Sequence, residues 1–184
     1  MEIEWTTYDP GEFYDEMISS PGNPRRAARA IASYLQKLSA RQLGRRQNAA
    51  DLAIAEMGVT FTVYSEGTNI DRTWPFDIIP RIIPLREWSR IEEGLEQRMT
   101  ALNMFIHDLY HEQKIITDGI VPKKLISGSK SFLPQCIDAS PRFNVWAHIC
   151  GSDLVRNRDG TLYVLEDNLR VPSGVSYMIE NRSI

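Results

Sequence analysis

The sequence predicts a mixed α/β chain, α+β in organisation, with its helices first and its strands last. Residues 85–111 carry apolar side chains at helical spacing, from Ile91 through Leu109, and predict a long amphipathic helix. The last third has short runs of β-forming residues joined by turn residues instead. Helices followed by strands are not the pattern of a regular βαβ repeat.

Elements on either side of the long helix are predicted from local signals. Three prolines among apolar residues at 74–84 exclude a helix and a central strand, so this segment is expected to be extended. Residues 112–142 are expected to form short helices and loops. The other predictions are a short helix over 13–18, a helix over 24–38, a second from the N-cap Ser39 to about Met57 with Gly58 as its C′ residue, a strand over 59–64, a turn over 66–69, and strands over 145–149, 152–157 and 161–168.

Composition narrows the class of protein. The chain has 184 residues, 42% hydrophobic and 24% charged, with a net charge of −3, so no electrostatic feature favours a nucleic-acid partner. Cys136 and Cys150 form no zinc pattern and are expected to be reduced, buried thiols. The N-terminus lacks signal-peptide features, and no apolar run approaches the ~20 residues of a membrane span. A soluble cytoplasmic protein with no membrane partner is expected.

The Asp-Gly pair at 159 and 160 predicts a β-hairpin. If the turn is centred on this pair, the numbers of facing residues sum to 319, and Asp153 faces Glu166. Their Cβ atoms would then lie about 4.5–5.5 Å apart, with Asn168 on the same face. A four-residue loop with the same centre gives the same pairing. A three-residue loop would shift the register by one and remove this argument.

Two carboxylates that face each other destabilise a sheet unless a cation lies between them. Asp153, Glu166 and the amide oxygen of Asn168 form a hard, oxygen-only set that suits Mg²⁺, which completes its octahedron with water and substrate phosphates. The alternative is a solvated hairpin with an acidic outer face. Leu162 and Val164 share the face of Glu166, so the face begins apolar and ends charged, which favours a functional site.

The segment after the hairpin adds candidate ligands for an anion. Arg170 offers a planar donor fork for a phosphate or carboxylate. Ser173 and Gly174 permit a close approach of the backbone to an anionic group. A Pro-Ser-Gly turn that serves only as a loop is the alternative.

These residues resemble a known family. The hairpin and the segment after it are similar to the end of an ATP-grasp fold. The residues that carry this likeness are Asp153, the Asp159-Gly160 turn, Tyr163-Val-Leu-Glu-Asp-Asn168 and Arg170-Val-Pro-Ser-Gly174. The amino-acid sequence of residues 165–177 resembles that of the circularly permuted ATP-grasp proteins related to the synthetase domain of glutathionylspermidine synthase. Residues 58–64, 75–83 and 132–134 resemble segments that precede the grasp in that group, so the likeness covers nearly the whole chain.

The resemblance implies an ATP-dependent ligase that joins a small-molecule or peptide carboxylate to an amine through an acyl phosphate. It implies that Asp153, Glu166 and Asn168 hold Mg²⁺ against the phosphates of ATP. Arg170 would be catalytic, contacting a phosphate or the acyl phosphate, with Ser173 and Gly174 also toward ATP. Arg81 is a candidate contact for the acidic substrate, and a structural ion pair is an equal alternative.

The resemblance also implies a division of the chain and a missing part. Residues 1–142 would be a helical and pre-ATP-grasp-like region, and residues 143–184 a partial ATP-grasp region with the metal-ligand hairpin. A glycine-rich phosphate loop and an adenine-binding subdomain are not found before Ile184. We therefore expect a truncated chain that binds ATP poorly and is inactive alone, or one completed by a homo-oligomer or a partner carrying the other half. A non-catalytic remnant serving as an interaction scaffold is the alternative.

Overall fold

The computed structural model describes residues 3–65 and 68–184, without the side chains of residues 61–71. Its elements confirm a mixed α/β chain with small antiparallel hairpins. The predicted turn at 66–69 lies partly outside the described residues. The strands are β1 (Ile18–Ser20), β2 (Asn23–Pro24), β3 (Thr60–Ser65), β4 (Thr68–Thr73), β5 (Gly151–Arg156) and β6 (Leu162–Asn168). The α-helices are α1 (Arg29–Gln36), α2 (Ala40–Glu56), α3 (Leu85–Tyr110), α4 (Lys114–Thr117), α5 (Lys123–Ser127) and α6 (Gly174–Ser183), with 3₁₀ turns at Arg26–Ala28, Pro134–Cys136 and Arg142–Asn144.

The chain divides into two compact units. The first contains residues 1–85, 154–165 and 173–184, and the second contains residues 86–153 and 166–172. The β5–β6 hairpin therefore contributes its turn half to the first unit and its open end to the second. The predicted boundary after residue 142 stays a prediction.

An apolar cluster near the N-terminus forms the core of the first unit. Trp5 packs there with residues of β1, the following 3₁₀ turn and α1, and its indole Nε1–H donates to the carbonyl oxygen of Ala32 at 3.1 Å. Pairing the indole donor matters because a buried polar group without a partner costs stability. The buried members are Trp5, Met17, Ile18, Ala28, Ala32, Leu35 and Leu38.

Helix α2 begins and ends as its capping residues predict. Ser39 and Gln42 form a reciprocal capping box, in which each side chain bonds the backbone N–H of the other. Gly58 follows the helix with φ +68°, the left-handed conformation typical of a C′ glycine. The predicted helix over 24–38 is shorter, because residues 26–28 form a 3₁₀ turn and α1 covers Arg29–Gln36.

The predicted helix over 13–18 is wrong. The carboxylate of Asp15 accepts hydrogen bonds from the backbone N–H groups of Met17 at 2.7 Å and Ile18 at 2.6 Å. Such local side-chain bonds give the backbone an alternative to the helix. They hold the segment in a turn that leads into strand β1.

Helix α3, predicted from its apolar stripe, is the longest element of the second unit. The strand predicted over residues 145–149 of the same unit does not form. The side-chain oxygen of Asn103, on α3, accepts hydrogen bonds from the backbone N–H groups of Trp146 at 2.8 Å and Ala147 at 3.0 Å. Because a side chain takes these donors, the segment lies against the helix instead of pairing in a ladder. The stacked rings of Trp146 and Tyr110, with centroids 5.0 Å apart, add to this anchor.

Within the described ranges, no helix combines the length and apolar character that crossing a membrane requires. Cys136 and Cys150 are free thiols, as predicted, but both are only partly buried.

Candidate metal site on the β5–β6 hairpin

The turn of the hairpin has three residues, Arg158 to Gly160, which matches the connection between the two predicted strands. The turn is therefore not centred on the Asp-Gly pair, and the register supposed from that centre does not hold here. The backbone N–H of Asn157 donates to the carbonyl of Thr161 at 2.8 Å, and the N–H of Gly160 donates to the carbonyl of Asn157 at 3.0 Å. Gly160 has φ +87°. A turn followed by a glycine with positive φ is the usual geometry of a three-residue hairpin loop. Near the turn, the numbers of two facing residues therefore add up to 318 and not to 319.

Further along the hairpin the pattern changes again. Exposure alternates along β6 until Leu165 and Glu166, which are both exposed. The Ser152 hydroxyl donates to the Asp167 carboxylate at 2.8 Å, and a Cβ placed on Gly151 would lie 3.9 Å from the Cβ of Asn168. In both pairs the residue numbers add up to 319, so the register here differs by one residue from the register near the turn. One extra residue in β6 explains the change, and we infer a β-bulge at Leu165 and Glu166, opposite Asp153.

Gly160 is held against an aromatic ring of the N-terminal segment. A Cβ added to Gly160 would lie 2.5 Å from the nearest ring carbon of Tyr14. The same ring stacks under the guanidinium of Arg156, 4.9 Å from its carbon to the ring centroid. Tyr14 therefore fixes the turn through contact with a residue that must have no side chain.

Replacing Gly160 by Ala is expected to destabilise the chain by about 1–3 kcal/mol, because the new Cβ meets the Tyr14 ring in a strained backbone conformation. Denaturant unfolding of both proteins measures the change. Gly44→Ala is the matched control, since Gly44 lies inside α2 with open space around it. That control should be neutral or stabilising by about 0.5–1 kcal/mol. Equal stability of Gly160→Ala and the unsubstituted chain would contradict the packing described.

The three candidate metal ligands are exposed near the open end of the hairpin. Asp153, Glu166 and Asn168 are all accessible to solvent. The amide Nδ2 of Asn168 donates to the Glu166 carboxylate at 3.0 Å, which places these two side chains together. The amide oxygen of Asn168 is the atom that suits a hard cation. Across the described part of the chain, no three His, Cys, Asp or Glu side chains gather as a metal cluster, so a site here needs the amide as its third ligand.

Asp167 lies between Glu166 and Asn168 but is largely buried. Its side chain is 8% exposed and accepts hydrogen bonds from the Ser152 hydroxyl at 2.8 Å and from Nε of Arg98, on helix α3, at 2.5 Å. Burial alone would raise the pKa of Asp167, but the bonds from Ser152 and Arg98 outweigh it and the pKa is lowered. Asp167 is therefore a largely buried, charged anchor between two exposed residues.

The segment after the hairpin carries the candidate phosphate contacts. Arg170 is exposed, and Val171 next to it has φ +47°, a conformation that is strained for a β-branched residue. Ser173 is the N-cap residue of α6 without a side-chain cap bond, and Gly174 is the first residue of that helix. Ser173 and Gly174 thus lie at a helix N-terminus, where anions are favoured.

Arg81 lies in a network with a largely buried carboxylate, that of Glu16. Its Nε and Nη2 donate to the two oxygens of Glu16 at 2.8 and 2.7 Å, and Nε of Arg156 donates to the same carboxylate at 2.7 Å. The side chains of Glu16 and Arg156 are 10% and 5% exposed. The bond from Arg81 lowers the pKa of Glu16, burial opposes this, and Arg156 adds to the lowering. In this structure Arg81 forms an ion pair.

The residues that support the hairpin were not predicted. Asp167 carried one signal, since strand alternation places it on the face opposite Glu166. The pairs Asp167–Arg98 and Glu16–Arg156 each join residues that are far apart in the sequence. No local sequence pattern indicates either pair.

The family described as circularly permuted ATP-grasp type 2 matches residues 80–184, which is more than half of the chain. This chain belongs to the circularly permuted ATP-grasp family.

Relatives extend the likeness to the whole chain. An uncharacterized protein of Synechocystis sp. (strain PCC 6803) is 47% identical over 182 residues, covering 99% of this chain and 38% of the relative. An uncharacterized protein of Mycobacterium leprae is 40% identical over 92% of this chain and 29% of its own length. A Frankia alni protein named "Putative glutamate--cysteine ligase 2-3" is 39% identical over 93% of this chain and 20% of its own length. This chain thus spans well under half of these relatives.

Proposed function

We propose that this chain is the metal-ligand part of an ATP-dependent carboxylate–amine ligase. The observation that carries the proposal is the oxygen-only set of Asp153, Glu166 and Asn168 on one hairpin of a chain that belongs to the ATP-grasp family. Magnesium bound there would neutralise charge on the phosphates of ATP. The chain's own residues would supply ligands and position them.

The donor chemistry fits Mg²⁺. Two carboxylates and an amide oxygen are hard ligands, and their exposure leaves coordination positions for water and phosphate oxygens. The hydrogen bond from Asn168 to Glu166 keeps two of the three side chains close before any ion binds. A divalent cation would balance the charges of the two carboxylates on this hairpin.

The tail would contribute anion binding. The guanidinium of Arg170 is exposed and can donate a planar fork to a phosphate or an acyl phosphate. Ser173 and Gly174 would present backbone N–H groups at the start of α6. Arg81 would contact an acidic substrate only if it left Glu16, so its role in binding requires an exchange of carboxylates.

The substrates follow from the proposed reaction class. The carboxylate and amine would be small molecules or peptides, and the protein would act in the cytoplasm. The Frankia name mentions glutamate and cysteine, but the matched stretch is a fifth of that protein, so the name assigns no substrate to this stretch. A likeness to glutathionylspermidine synthase remains part of this proposal.

A chimaera tests the reaction class. This chain would replace the matching stretch of the Synechocystis protein, to which it is 47% identical. With ATP, Mg²⁺ and a panel of amino acids and short peptides, ADP and phosphate are the expected products. Hydroxylamine should trap the acyl phosphate as a hydroxamate in step with ADP release.

Two results would contradict the proposal. Formation of AMP and pyrophosphate would indicate an acyl adenylate in place of an acyl phosphate. A chimaera that folds and binds ATP but forms no hydroxamate with any substrate of the panel would favour the non-catalytic scaffold. The 184-residue chain alone should show no tight, Mg²⁺-dependent ATP binding in calorimetry.

A further inference from the structure

Asp167 joins the metal-ligand hairpin to helix α3. Its carboxylate uses one oxygen for the Ser152 hydroxyl, at 2.8 Å, and the other for Nε of Arg98, at 2.5 Å. Ser152 is in β5 and Arg98 is in the middle of the 26-residue helix α3. One side chain therefore connects both strands of the hairpin to the longest helix of the same unit.

The connection lies directly behind the candidate ligands. Ser152 is the neighbour of Asp153, and Asp167 is the neighbour of both Glu166 and Asn168. Because side chains alternate along a strand, a bond between Ser152 and Asp167 on one face sets the spacing of their neighbours on the other. No candidate metal ligand lies more than one residue from a member of the network.

We propose that Asp167 is a positioning residue that holds Asp153, Glu166 and Asn168 in ligand geometry through Ser152 and Arg98. This proposal rests on the proposed function, because it assumes that the three residues bind a divalent ion. Two strands alone are marginally stable, and the ladder is interrupted beside Glu166 by the inferred bulge. Attachment to a long helix supplies the rigidity that an octahedral ion requires of its ligands.

The effect on position can be separated from the effect on stability. The guanidinium side chain of Arg98 is 45% exposed, so its ion pair with Asp167 contributes little to global stability. Loss of the anchor should nevertheless loosen all three ligands together. Replacing a residue that orients metal ligands typically lowers metal affinity by about 10–100-fold, and we expect a loss in that range here.

The test uses the 184-residue chain with Mn²⁺ as the probe, a hard divalent ion that relaxes nearby protons. Asp167→Asn keeps the size of the side chain and an acceptor for Ser152 but removes the charge that pairs with Arg98. We expect the dissociation constant for Mn²⁺, from water proton relaxation, to rise by about tenfold. Arg98→Met should have a similar effect, and the double variant should be no worse than either single variant, because both substitutions break the same link.

Asn103→Ala is the matched structural control. Asn103 is in the same unit and holds residues 146 and 147 against α3, but it is not part of the hairpin network. Its loss should lower the unfolding free energy and leave the Mn²⁺ dissociation constant unchanged. A role of Asp167 in stability alone would give Asp167→Asn this same pattern.

The outcomes separate the two proposals. If the unsubstituted chain responds to Mn²⁺ and Asp167→Asn binds it equally well, the positioning role is overturned while the metal site stands. Additive effects of the Asp167 and Arg98 substitutions would also overturn it. If the unsubstituted chain shows no Mn²⁺ response, the proposed function fails and the positioning role fails with it.

Discussion

Replacing Glu166 by Gln is expected to reduce hydroxamate formation by the chimaera by about a thousandfold, because a lost metal ligand removes several kcal/mol of charge stabilisation in the transition state. The substitution preserves size and changes one charged oxygen to an amide. The rate and its dependence on Mg²⁺ concentration are measured together. Part of the lost rate should return at high Mg²⁺, since the remaining ligands still bind the ion weakly.

Glu92→Gln is the matched control for that prediction. Glu92 is an exposed carboxylate on helix α3, outside the hairpin and its supporting network. Its replacement changes the net charge by the same amount and should leave the rate unchanged. A Glu166→Gln chimaera as active as the Glu92→Gln chimaera would contradict the metal-ligand assignment.

Replacing Glu16 by Gln is expected to destabilise the chain by about 3 kcal/mol, because it removes the carboxylate charge that pairs with the 5% exposed side chain of Arg156. Glu12→Gln is the control, since Glu12 pairs with Arg158 at the surface and should contribute about 0.5 kcal/mol or less. Urea unfolding of the three proteins gives both differences. Equal effects of the two substitutions would contradict the buried network.

The Glu16 effect should depend on pH in a defined direction. The pKa of Glu16 is lowered in the folded chain, so its contribution is present above the unfolded pKa and is lost as pH falls through the folded pKa. The difference in unfolding free energy between the unsubstituted chain and Glu16→Gln should therefore be largest at neutral pH and shrink in acid. A difference that grew in acid would have the wrong sign.

Local signals predicted the elements that depend on local physics. The apolar stripe predicted helix α3, and Ser39 with Gly58 predicted the limits of α2 because capping involves only adjacent turns. The Asp-Gly pair predicted the hairpin but not its loop length, since two- and three-residue loops both accept glycine. Packing of Tyr14 on Gly160, distant in sequence, accompanies the three-residue form.

The two wrong secondary-structure predictions share one cause. In each segment a side chain accepts hydrogen bonds from backbone N–H groups that a regular helix or strand would use. Residues 145–149 have strand-forming composition, but the side chain of Asn103 takes two of their backbone donors. The 13–18 segment has helix-forming residues, but Asp15 bonds the local backbone. For the metal site, the sequence predicted the three ligands from a register that holds only beyond the inferred bulge, and it could not show the anchor formed by Asp167 and Arg98.

The central claim is that Asp153, Glu166 and Asn168 bind a divalent ion. Two-dimensional ¹H–¹⁵N spectra of the ¹⁵N-labelled chain, recorded with substoichiometric Mn²⁺, test it most directly, because Mn²⁺ broadens signals only near its binding site. We predict selective loss of the amide signals of residues 152–154 and 165–169, restored by excess Mg²⁺ and absent in Glu166→Gln. Selective broadening elsewhere, or none at the hairpin with millimolar Mn²⁺, would contradict it.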